Sequence, residues 1–394
     1  MADWNGKKIL IVSMTTWGEM GNWLSGKSLG ATIGAALPGC QVSVEAAETL
    51  IPRFAETGRR IKDATLGSAT PEERFARYSQ VLRELEPVLP PGFENSGSIE
   101  PLQPLVNRLK ADPPDVAIGT KGVICRMLQA ALRAAGLQRP VVNYVTNHGH
   151  FQFPVHRVEG AAIHLVRFPE GVAYLENTCG WPRESMRTVG YLIAAHQLGS
   201  LPATAAPLAD QEPRQSLVIV SNRGGKEYLE LLSALAAEAR HVAVTFIGIN
   251  DDELCAGAQA IIDGAGLDWR VVSSLSQKEL FQLMLQARRR GVCSLVCKAS
   301  PNSIFEAIYF GLPMFLLRTG LPMEEWGAEI VVRERLGTVA ESMPELIPQI
   351  TQALREESLL RAMQQRQAEF ARVYLDQQAS VKAIVGALDE VMET

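Results

Sequence analysis

Seven short apolar runs, each bounded by turn residues, limit what this chain can fold into more than any other feature. They span residues 9–14, 116–119, 141–145, 163–168, 217–220, 242–247 and 294–297. Runs this short and this continuously apolar read as strands covered on both faces of a parallel sheet. Helical patterns recur at 124–135, 228–239, 277–288, 303–310 and 343–354. That alternation predicts an α/β fold of doubly wound sheets.

At 394 residues the chain exceeds the roughly 250–300 at which one core stops growing, so two domains are expected. The stretch 199–214 is rich in Pro and Ala, carries acidic residues and has no sustained period, and a fresh strand starts at Leu217. It divides an N-terminal domain (1–198) from a C-terminal one (215–375). A closing helix (376–394) is left open to cross back to the first domain. Two such domains imply a cleft, with ligands beyond the carboxyl ends of the strands.

A formal net charge of −5 argues against nucleic acid as a partner, because phosphate binding rests on clustered Lys and Arg. The apolar run at 9–14 is too short for a signal-peptide core or a membrane span, which points to the cytoplasm. Arg53, Arg59, Arg60 and Lys62 are diluted by Glu45, Glu48 and Glu56, so peripheral membrane contact stays open without electrostatic support. The six cysteines form no metal-ligand pair, and Cys293 and Cys297 read as buried filler beside Leu295 and Val296. No metal or cofactor is expected.

The sharpest local signal is Lys298-Ala-Ser-Pro-Asn-Ser-Ile-Phe-Glu-Ala-Ile-Tyr-Phe-Gly-Leu-Pro313, directly after the run at 294–297. It predicts strand, loop, then helix. Ser300, Asn302 and Ser303 surround the helix start, with Asn302 or Ser303 as its cap, and unpaired N–H groups plus the helix dipole suit a diphosphate. Glu306 on the first turn can accept hydrogen bonds from a ribose diol. A capping box, with Glu306 at the third or fourth helical position, fits the local pattern equally well. A second signal is Ser221-Asn222-Arg223-Gly224-Gly225-Lys226, where paired glycines allow close phosphate approach and Arg223 supplies charge. It lacks the spacing of a dinucleotide fingerprint and the ending of a P-loop.

These two segments, with Val271-Val-Ser-Ser-Leu275 between them and Leu321-Pro-Met-Glu-Glu325 after them, resemble the donor half of a glycosyltransferase group. That group holds the monogalactosyldiacylglycerol synthases, the processive diacylglycerol glucosyltransferases and MurG. A weaker resemblance covers 7–200, where Lys8-Ile-Leu-Ile-Val12, Pro114-Asp-Val-Ala-Ile118, Val142-Asn-Tyr-Val-Thr146 and Val189-Gly-Tyr-Leu-Ile193 look like successive strands of the acceptor half. The resemblance implies a GT-B fold, two Rossmann-like domains facing across a cleft. It also implies a UDP-sugar donor and metal-independent, inverting transfer of a hexose to a hydroxyl acceptor, either a lipid such as diacylglycerol or a small metabolite.

By the same resemblance Glu306 holds the ribose, Asn222, Arg223, Gly224 and Gly225 lie near the diphosphate, and Ser274 and Leu275 line the base. Glu324 and Glu325 touch the donor sugar, where the group carries Gln before Glu or paired Gln. Ser300 and Asn302 stand in place of two glycines. The first loop, Thr15-Thr-Trp-Gly-Glu-Met-Gly-Asn-Trp-Leu-Ser-Gly-Lys-Ser28, keeps Gly18, Gly21 and Gly26 as flexible points beside Asn22 but lacks the group's histidine.

The base candidates are therefore His148 and His150 in Thr146-Asn-His-Gly-His150, just past the run at 141–145, and Glu19 in the first loop. His-Gly-His has no third ligand at a metal-site spacing. His156, His164, His196 and His241 read as structural. Two further readings stay open: a UDP-sugar epimerase on the same fold, and a non-catalytic sugar-nucleotide-binding partner. Oligomeric state is not legible.

Overall fold

In the computed structural model the residues described are 2–15, 21–66, 71–85, 100–146, 158–193, 215–221, 225–249 and 251–393. They form two compact units. One comprises Met1–Ala194, Leu321–Met323 and Tyr374–Thr394, the other Ala195–Gly320 and Glu324–Val373.

The first unit carries β1 (Lys8–Ser13), β2 (Gln41–Ala46), β3 (Val116–Gly119), β4 (Val141–Val145), β5 (Ile163–Val166) and β6 (Met186–Thr188). They make one parallel sheet in the order β2-β1-β3-β4-β5-β6. Alternation along β1 builds two cores. Leu10 and Val12 pack with Phe54, Leu105 and Leu128 on one face, and Ile9 and Ile11 pack with Leu29 and Ile33 on the other. The second face also takes Ile384, Leu388 and Val391 of the final helix, Gln377–Glu393. Its Asp389 accepts from the Trp4 indole N–H at 2.8 Å. With both faces covered, every residue of a central strand such as β3 or β4 is buried, which is why these strands read as unbroken apolar runs.

The second unit carries β7 (Ser216–Ser221), β8 (Ala243–Gly248), β9 (Arg270–Val272), β10 (Cys293–Lys298), β11 (Met314–Leu317) and β12 (Gly337–Ala340). Its order is β12-β11-β10-β7-β8-β9, again parallel throughout. From β7 the chain winds outward through β8 and β9. It then returns to the far side of β7 as β10 and winds the other way, so the direction reverses between β7 and β10.

The strands beyond the seven apolar runs are β2, β6, β9, β11 and β12. Four of them form sheet edges where residues are half exposed, so no unbroken apolar run marks them. The interior β11 hides behind the Gly-Leu-Pro turn before it. Residues 189–193, which resemble a strand, follow β6 as buried irregular backbone instead. Gly190 has φ +73°, and a Cβ there would collide with the Ser380 hydroxyl of the final helix. The first loop is also shorter than expected, because a helix begins at Gly21 (Gly21–Ala36). Gly26 is therefore a packing residue rather than a flexible point: a Cβ there would meet the Ser13 Cβ at 2.8 Å.

No helix among the described residues is long and apolar enough to cross a membrane.

Candidate functional site

In the second unit the two segments singled out by sequence flank the reversal point. β7 ends at the fully buried Ser221, and Gly225 follows on the same side. β10 ends at Lys298, which is partly exposed and has no ion-pair partner among the described residues. The helix Pro301–Phe310 starts three residues later. In open parallel sheets this reversal leaves a crevice at the carboxyl ends of the strands, where ligands bind.

The helix start departs from expectation in two ways. Its cap position is Ser300, in extended backbone (φ −89°, ψ 143°), and Pro301 occupies the first turn, where its missing N–H costs nothing. Asn302 and Ser303 are thus helical residues, not caps. The Ser300 hydroxyl bonds the Ser303 hydroxyl at 2.9 Å and gives the helix no side-chain cap. Because the helix begins at Pro301, Glu306 is its sixth residue. That is a turn too late for a capping box, so this reading falls.

Glu306 instead has a tertiary partner. Gln277 Nε2 donates to its Oε1 at 3.0 Å. Gln277 opens the helix Gln277–Arg290, which a capping box of Ser276 and Glu279 fixes in place just after Ser274 and Leu275. The loop after β9 is thereby tied to the helix after β10. Ser274 is exposed and Leu275 partly so. Desolvation pushes the Glu306 carboxyl up to about 8, and the Gln277 hydrogen bond opposes this only in part. The partner Oε1 of Gln277 is buried without a donor. The nearby Cys297 thiol is raised to about 12 by burial, which leaves it inert. Cys293 and Cys297 are buried and unpaired.

Gly311 ends the helix at φ +67°, a conformation glycine adopts without strain, and turns the chain into β11. After β11, Arg318 pairs with Glu325 and also with Glu341, at 2.7 Å. Glu325 is therefore engaged in an ion pair. Its pKa is raised by burial, with Arg318 pulling the other way. Glu324 sits beside it on the first turn of the helix Pro322–Arg333.

Of the remaining candidates, Gly18, Glu19, His148, His150, Asn222, Arg223 and Gly224 lie outside the described residues. Gly21 and Asn22 open the helix after β1. Asn22 is buried and engaged: its carbonyl accepts from Ser13 Oγ at 2.8 Å and its Oδ1 from Thr146 Oγ1 at 2.8 Å. Ser13 Oγ is 2.9 Å from Thr120 Oγ1, so the carboxyl ends of β1, β3 and β4 share one hydroxyl network. His164 is buried, 3.0 Å from Asn143, and burial lowers its pKa to about 4, in keeping with a structural role. Two residues of the site were not anticipated. Lys298 stood in the quoted motif, and a charge closing an apolar strand was its signal. Gln277 gave no local signal, since its partner lies 29 positions away. Among the described residues no three acidic, His or Cys side chains cluster as metal ligands would.

The chain has the GT-B fold, with two Rossmann-like units. Its likeness is structural: no protein-family model matches the sequence, and no curated protein sequence does. Among solved structures, MnaA of S. aureus in a co-structure with UDP matches at TM-score 0.60 and 13% identity, over 95% of this chain and 94% of that one. MurG of Acinetobacter baumannii matches at TM-score 0.56 and 17% identity, over 92% and 95%. The UDP-GlcNAc 2-epimerase of Neisseria meningitidis, bound to UDP-GlcNAc, matches at TM-score 0.57 and 11% identity, over 97% and 99%.

Proposed function

We propose that this chain is an inverting glycosyltransferase that moves a hexose from a UDP-sugar to a hydroxyl acceptor. The observation that carries the reading is the meeting, at the β7/β10 reversal, of a helix start without a side-chain cap, the Lys298 ammonium and the Glu306 carboxyl. The helix start and Lys298 suit a diphosphate, and Glu306 suits the ribose diol two turns in. UDP bound in one of the matching structures and UDP-GlcNAc in another support a UDP-sugar here.

In this reading the acceptor oxygen attacks the anomeric carbon, the bond from that carbon to the diphosphate breaks, and the acceptor proton passes to a base. Helix N–H groups, Lys298 and Arg223 take up the charge that develops on the diphosphate, so the reaction needs no metal. Asn222, Gly224 and Gly225 let the backbone approach it, Ser274 and Leu275 line the uracil, and Glu324 contacts the hexose. Glu325 serves by fixing Arg318. The first unit holds the acceptor, a lipid or a small metabolite, and its His148 or His150, or Glu19, takes the proton. The protein works in the cytoplasm, at or away from the membrane surface.

A second reading, epimerisation of a UDP-sugar, is favoured by the likeness to an enzyme named for it. Mass spectrometry and NMR of UDP-sugars incubated with the protein, with and without a panel of hydroxyl acceptors, test both. New glycosides only with acceptor support transfer. An isomerised sugar without acceptor supports epimerisation, and bound but unchanged donor under all conditions removes both.

A further inference from the structure

Glu306, on the helix Pro301–Phe310, has one hydrogen-bond partner among the described residues, Gln277 Nε2 at 3.0 Å. No cation there pairs with it. Lys298 closes the preceding strand without doing so, and the Cys297 thiol of that strand, raised to about 12 by burial, stays neutral. The carboxyl Oε2 has no partner there either, and Glu306 is partly exposed. A carboxylate offers about four lone-pair sites, and the amide fills one of them.

The amide is held from behind. Gln277 is the first residue of the helix Gln277–Arg290, whose start is locked by Glu279 N donating to Ser276 Oγ at 3.3 Å and Ser276 N donating to Glu279 Oε2 at 2.8 Å. One turn on, Phe281 packs against Phe310 with ring centres 5.1 Å apart, so an apolar contact fixes the two helices against each other. For the fold alone Gln277 is a poor choice, because its own carbonyl is buried without a donor, a cost that an apolar side chain would not carry. What it delivers is an N–H on Glu306, which favours the charged carboxylate against the desolvation that opposes it.

We propose that Gln277 is a positioning residue for nucleotide binding: its amide, carried on a locked helix start, holds one oxygen of Glu306 so that the other is set to accept from the ribose diol. The role rests on the reading of Glu306 as the ribose acceptor. No ligand has to reach Gln277 itself.

The test uses the full chain carrying Gln277→Met, close in size but without the amide, in two measurements. In the first, without ligand, thermal unfolding between pH 5 and 10 compares each chain with its own Glu306→Gln counterpart; the difference falls as pH rises and levels off at the folded-state pKa of Glu306. It should level near 8 in the unmodified chain and about one unit higher in Gln277→Met, because the hydrogen bond that favours the carboxylate is gone. In the second, calorimetric UDP titration over the same range should find Gln277→Met about tenfold weaker at pH 7, the ratio of the two affinities approaching one near pH 10. A side chain that only shapes the site would leave that ratio independent of pH. If Gln277→Met does not fold, Gln277→Asn, which keeps the amide but stops one methylene short, takes its place with the same expectations. An unmoved levelling point, equal affinities at pH 7, or a deficit that is the same at every pH would overturn the proposal. A chain that binds UDP through Glu306 but shows none of these shifts refutes the role of Gln277 and leaves the nucleotide reading standing; a chain that ignores UDP at every pH refutes that reading, and the role with it.

Discussion

The two sheets share a plan and differ in what they leave at their reversal points. In the first, the chain reverses between β1 and β3, and Ser13, Asn22, Thr120 and Thr146 close on one another there. In the second it reverses between β7 and β10. There the neighbouring groups are an ammonium without an ion-pair partner among the described residues, a helix start without a side-chain cap and a carboxyl raised to about 8. Neutral hydroxyls that satisfy one another hold a fold together, whereas charged and uncapped groups hold chemistry in reserve. The same topology therefore serves as scaffold in one place and as a candidate ligand site in the other.

The largest expected effect tests whether catalysis and nucleotide binding divide between the units. One of His148→Ala and His150→Ala should lower kcat by about 10²–10⁴-fold, with UDP affinity unchanged. If Glu19→Gln shows the loss instead, the base belongs to the first loop. A parallel loss of UDP affinity in steady-state and calorimetric measurements would break the division.

Next in size, Glu306→Ala should weaken UDP binding by about 10–100-fold, from the roughly 1.5–3 kcal/mol of hydrogen bonds to a charged group. Calorimetric titration reads it, and unchanged affinity would remove Glu306 from the site.

A smaller effect is expected from pH. The folded-state pKa of Glu306, about 8, lies above the ordinary value of 4.5. Its protonated form is thus favoured by folding, and the stability it contributes is complete below about 4.5 and lost as pH rises towards 8. Glu306→Gln should unfold at a higher temperature than the unmodified chain at pH 8.5 and lose that advantage near pH 4. A ribose diol that donates to the carboxylate would draw the proton off. UDP affinity should therefore rise, by less than tenfold per unit, between pH 6 and 8, with proton release visible as buffer-dependent heat.

Smallest, Ser13→Ala should cost about 1 kcal/mol in chemical denaturation and leave UDP affinity alone. A change in affinity would mean that the hydroxyl network is not mere scaffold.

How much was legible depends on the range of the interactions. β1, β3, β4, β7 and β10 stood out because covered parallel strands carry no polar face, whereas the edge strands β2, β9 and β12 gave weak signals for the opposite reason. The helix start at Pro301 could have been read from proline after serine, and counting from it would have placed Glu306 beyond any cap. Gln277 could not be assigned, because its partner is fixed by how two helices pack. Arg167 was visible as a charge inside the apolar run 163–168, but only tertiary structure shows it buried with no acid paired to it among the described residues.

The bond from Gln277 to Glu306 means that one carboxyl oxygen already has a resident amide partner. If a ribose binds there as proposed, its diol must share the carboxyl with the amide or displace it, since a carboxylate accepts at two oxygens. A deoxyribose would offer one hydroxyl fewer to the same carboxyl. In that reading the helix capped by Ser276 sets the threshold that a visiting sugar must exceed.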